Sequence, residues 1–118
     1  AVMGEGEIED CGLEIEGRAT MRVTAVKDFY VPWPMIDTGE HWITIASKET
    51  VDLAYQAAAR QMYQFLTEKV GMKDDDAAML MTMTGDLIIC QTVNPTMTVR
   101  MEFPKRIIRD YNPDFSVS

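Results

Sequence analysis

The stretch from Met79 to Lys105 constrains this chain more than any other. It reads as the end of a helix, a break at Gly85-Asp86, a strand, an Asn94-Pro95 turn and a second strand. Leu87 to Val93 is apolar on both faces apart from Gln91 and Thr92, the pattern of a strand covered on both sides. Thr98 to Phe103 alternates instead. Val99, Met101 and Phe103 share one face and Thr98, Arg100 and Glu102 the other, the pattern of a strand with one wet face. Proline fixes φ and asparagine tolerates turn geometry, so Asn94-Pro95 marks the connection. Pro104 lacks a backbone donor and ends the ladder.

Upstream, Arg18 to Lys27 alternates Ala19, Met21, Val23 and Ala25 against Arg18, Thr20, Arg22 and Thr24, which predicts a half-buried strand. Leu13 to Glu16 predicts a strand with an acidic face, interrupted by Gly17. The prolines of Val31-Pro32-Trp33-Pro34 exclude helix and leave an extended loop with an aromatic anchor. His41 to Ala46 is expected as a strand with His41, Ile43 and Ile45 on its apolar face. A long helix is expected from a Ser47 N-cap to Val70, with Val51, Ala54, Ala58, Met62, Phe65 and Leu66 at helical spacing and Gly71 closing it. A shorter helix follows from Asp74, its expected cap, to Thr84, stopped by Gly85. After Pro104 a polar-rich tail is expected on the surface. The fold class is α+β: N-terminal strands, a long and a short helix, then two C-terminal strands in one 118-residue unit.

The formal net charge of −8 argues against a nucleic-acid or anionic-membrane surface, because phosphate binding requires clustered Lys and Arg. Cys11 and Cys90 stand far apart and form no Cys-x-x-Cys, so reduced thiols in a cytoplasmic protein are expected. The ten methionines sit mostly at apolar positions, as core filling or as faces that bury against further copies in a homo-oligomer.

Chemistry points first to Gly4-Glu5-Gly6-Glu7. Two carboxylates on a glycine-rich turn can ligate a metal, or one can serve as general base for a water; the same pattern also occurs in solvated loops. His41 is the lone histidine, which argues against a self-contained catalytic zinc site of the usual donor set. There is no Gly-x-Ser-x-Gly elbow for a serine hydrolase. Gln91 among apolar neighbours, and Asp86 beside Gly85, can each reach into a site or simply satisfy the backbone.

Gly85 to Pro95, then Thr98-Val99-Arg100, then Phe103-Pro104-Lys105, resemble the C-terminal part of the acetamidase/formamidase family. The likeness runs back through Trp33-Pro34, His41-Trp42-Ile43-Thr44, Ala19 to Val23 and Cys11-Gly12 to Ala1 to Glu7. Glu5 stands where the family has Asp, and the family's preceding histidine lies upstream of Ala1. The resemblance implies the C-terminal portion of a larger, mainly-β enzyme that hydrolyses formamide or acetamide. On that likeness Glu7 is expected as the catalytic base or as a ligand in the metal's shell, and Glu5 and Glu14 as ligands of a divalent metal, zinc by expectation, shared with a missing portion. His41, Asp86 and Gln91 are further candidates. The implied partners are a small amide and the N-terminal portion or a second chain. The alternative is a non-catalytic assembly or interaction domain that retains the fold. In a chain lacking its partner, Ala1 to Asp10 is expected to be mobile.

Overall fold

The computed structural model describes residues 4–117; the part of the Ala1 to Glu7 motif before Gly4 lies outside them. Its strands are β1 (Met35–Asp37), β2 (His41–Lys48), β3 (Asp86–Gln91) and β4 (Met97–Pro104), and its helices are α1 (Val51–Gln64), α2 (Asp74–Thr84) and α3 (Lys105–Tyr111). The strands form one antiparallel sheet in the order β1-β2-β4-β3. The fold is therefore α+β, with helices on one face of the sheet.

The inward face of β4 is the one its alternation predicts: Val99, Met101 and Phe103 are all buried. On β2 the expectation is reversed. Trp42, Thr44 and Ala46 face the helix layer, whereas His41, Ile43 and Ile45 lie on the opposite face. Both faces of β2 carry apolar residues, so only the partner layer can choose between them. The threonine is accommodated because its Oγ1 donates to the Ala58 carbonyl at 2.8 Å. Ala54 and Ala58, fully buried and lacking bulk, let α1 come that close.

α1 begins later than expected, because β2 runs on to Lys48 and Ser47 pairs across the ladder with Thr98. Thr50 caps the helix by accepting from the Leu53 amide. A π-helical turn over Phe65–Lys69 continues α1. Gly71, at φ +82°, then ends the segment while the Met72 amide reaches back to the Leu66 carbonyl. α2 has the expected span, but Lys73 holds the cap position without a side-chain bond. Asp74, Asp75 and Asp76 instead occupy the first turn, where the helix dipole favours negative charge.

Four further expectations are corrected. β3 is an edge strand with Leu87 and Ile89 half exposed, since α1 lies over β2 and β4 and barely reaches β3. The tail folds as α3: Ile108 is buried, Phe115 packs edge-on against Phe65 at 5.7 Å, and Asn112 donates to the Val70 carbonyl. Leu13 to Glu16 forms only an isolated bridge at Leu13. Residues 18–27 form no strand, and their side chains are exposed on both faces. Alternation identifies a face that suits burial, but a ladder also requires a neighbouring backbone, and none of the described strands pairs with this segment.

Candidate functional site

The face of the sheet away from the helices carries the polar chemistry. Burial of Val99 and Met101 turns Arg100 outward on a central strand, with Glu102 two residues on along the same face. Arg100 Nε donates to Glu102 at 2.7 Å. Its two terminal nitrogens grip both oxygens of Glu5, at 2.7 and 2.9 Å, and one of them also lies 3.7 Å from the Cys90 sulfur. This bidentate pair spans 95 positions of sequence and brings the glycine-acid segment onto the sheet. The hydrogen bond from Arg100 holds the Glu5 carboxyl below its usual range, with desolvation opposing. Glu5 and then Glu102 hold the guanidinium still more firmly protonated.

The segment turns at Gly6, whose φ is +92°, and at Glu7, whose φ is +21°. The Glu7 carbonyl accepts from the Thr92 amide at 3.3 Å, so the loop is fastened to the end of β3 as well as to β4. Glu7 is half-buried, and its carboxylate has no hydrogen-bond partner among the described residues. Glu5, Glu7 and Glu9 line an open cavity of about 380 Å³ together with Ile8 and Cys11. Cys11 and Cys90 are both free thiols.

His41 and Asp86 meet elsewhere. They line a cleft of about 490 Å³ with Glu40, Arg106 and Arg109, where β2, the start of β3 and α3 converge. Gln91 lies in neither cavity. Its nitrogen donates to the Thr96 carbonyl and the Thr98 hydroxyl, and its oxygen accepts from the Val93 and Asn94 amides, so the side chain holds the Asn94-Pro95 turn. Glu14 is exposed and lines neither cavity. The candidates thus separate into Glu5 with Glu7, His41 with Asp86, and Gln91 and Glu14 apart. Sequence reasoning missed Arg100 and Glu102 as site residues; their signal was an opposite-charge pair two apart on the wet face of a strand.

A metal requires several converging donors. Among the described residues no group of three or more His, Cys, Asp and Glu side chains converges closely enough to hold one. Both oxygens of Glu5 are already engaged by Arg100. These residues do not by themselves make a metal site.

No family model matches the chain, and a search of curated proteins finds no match. Among solved structures, the acetamidase of Bacillus halodurans is 35% identical over 73% of this chain, with a TM-score of 0.62. A predicted acetamidase/formamidase from the thermophile Thermoanaerobacter tengcongensis is 30% identical over 72%, with a TM-score of 0.67. This chain is acetamidase/formamidase-like. The acetamidase of Yersinia enterocolitica agrees, at 26% identity over 70% and a TM-score of 0.65. The acetamidase/formamidase-like chain spans 28%, 28% and 25% of these three structures respectively. No helix among its described residues is long and apolar enough to cross a membrane.

Proposed function

We propose that the chain is part of a cytoplasmic enzyme that hydrolyses short aliphatic amides, formamide or acetamide, to a carboxylic acid and ammonia, and that it acts together with a larger N-terminal portion. The observation that carries this reading is the 35% identity, over 73% of the chain, to an acetamidase of which the chain spans 28%.

Glu7 is the residue we assign to the chemistry. The Arg100 grip neutralises Glu5 and fixes the loop, leaving the nearby Glu7 carboxylate without a hydrogen-bond partner among the described residues, beside an open cavity. In this role the carboxylate takes a proton from water as the water oxygen bonds to the amide carbon. The same proton then passes to the departing nitrogen as the C–N bond breaks and ammonia leaves. A divalent metal, zinc by the family likeness, would need most of its donors from the other portion, with Glu14 and any release of Glu5 from Arg100 contributing at most part of the set. His41 and Asp86, in their separate cleft, are candidates for contacts to that portion.

The test is Glu7→Gln in the assembled enzyme, followed by ammonia release from formamide and acetamide. Loss of a general base lowers kcat by about 10²- to 10⁴-fold. Unchanged kcat with both amides would remove Glu7 from the mechanism.

A further inference from the structure

Residues 18–27 combine two properties that do not belong together in a finished fold. Their apolar positions alternate without a break over Ala19, Met21, Val23 and Ala25, with Arg18, Thr20, Arg22 and Thr24 between them. Yet Met21 is 85% and Val23 94% exposed, and the segment has no ladder partner among the described residues. Period-two alternation has one physical use, to bury one face of a strand and wet the other. The radius of gyration, 15.7 Å, exceeds the about 13.5 Å expected of a compact chain of this length. An uncovered segment with a strand-like apolar face is also an aggregation hazard that folded proteins normally cover.

We propose that residues 18–27 form a β-strand that pairs with a sheet edge in the remaining portion of the acetamidase/formamidase-like enzyme, with Met21 and Val23 facing that portion's core. This rests on the reading above that the chain is part of a larger enzyme, and it identifies the surface that joins the two. The occupant follows from what the strand needs. Two copies pairing through this segment would make a two-stranded ribbon with both faces wet, which is marginal in water. A sheet edge with an apolar face is required, and the chain spans only 28% of the Bacillus halodurans acetamidase, leaving the rest of that fold as its source. The opposite face of the strand presents Arg18 and Arg22, so the partner's wet face should carry carboxylates beside them.

The 118-residue chain is mixed with the complementary portion of the Bacillus halodurans acetamidase, expressed separately. Complex formation is read by size-exclusion chromatography and backbone amide exchange. The double variant Met21→Asp/Val23→Asp is compared with the parent. Expected are a 1:1 complex with at least tenfold slower exchange over residues 18–27, and loss of both in the variant. Because these side chains are exposed, the variant alone should melt at the parent's temperature. Absence of a complex with the parent chain, an equally tight complex with the variant, or protection of 18–27 arising from self-association would each overturn the proposal. A complex with the expected protection that hydrolyses no amide would instead remove the catalytic reading and leave the interface standing.

Discussion

Gly85 separates α2 from β3 beside the His41–Asp86 cleft, and Gly85→Ala tests why it is glycine. Its φ is negative, so alanine meets no intrinsic backbone strain; the obstacle is contact. A Cβ there would stand 2.7 Å from the Met81 carbonyl oxygen and would overlap the Met101 methyl. The methyl ends a flexible side chain and can swing aside. The carbonyl cannot move freely, because it accepts the Gly85 amide at 3.0 Å and closes the helix. Reaching an ordinary C···O separation of about 3.3 Å requires the two to part by about 0.6 Å. Displacement of this kind in a packed site costs about 1–3 kcal/mol. Reduced freedom of the unfolded chain returns about 0.4–1 kcal/mol. The expected net loss is about 1–2 kcal/mol, or a fall in Tm of about 4–8 °C for a chain of this size. The assay is thermal unfolding followed by circular dichroism, with Gly71 as the contrast. At Gly71 there is open space and φ is +82°, so asparagine, which tolerates the left-handed region, should outperform alanine. At Gly85 the larger asparagine should be the worse of the two. A Gly85→Ala variant melting within 1 °C of the parent, or the same rank order at both sites, would refute the contact argument.

Two further outcomes concern the charges of the site. The Glu5 carboxyl, lowered from its ordinary 4.5 by Arg100, should titrate below that value by ¹³C NMR and return upward in Arg100→Met; equal midpoints would mean the pair does not persist in solution. Since the folded pKa is the lower one, any stability from the pair is present in full above pH 4.5 and is lost as pH falls through the lowered pKa. Glu5 is 64% exposed, so screening by added salt should loosen the loop, seen as faster amide exchange at Thr92. The 118-residue chain on its own should give no saturable zinc isotherm in calorimetry, because the donors among its described residues do not converge; tight stoichiometric binding would contradict this.

Local signals account for a definite part of this protein. Gly71 and Gly85 end their helical segments, α2 has the limits its composition suggests, and the alternation of β4 names its buried face. These are short-range consequences of glycine geometry, helix charge preference and strand periodicity, and they act within a few residues. The family likeness was also legible, because it rests on the order of short motifs along the chain. Where two readings are locally equal, tertiary contacts decided. Both faces of β2 carry apolar residues, and the placement of α1 selected Trp42, Thr44 and Ala46 for the core. The polar-looking tail became α3 because Ile108 and Phe115 found Phe65 and its neighbours to pack against. The Glu5–Arg100 pair joins residues 95 positions apart, a distance over which composition and spacing carry no information about contact. Residues 18–27 show the converse: their pattern specifies a face for burial, but a ladder also needs a neighbouring backbone, and none of the described strands provides one.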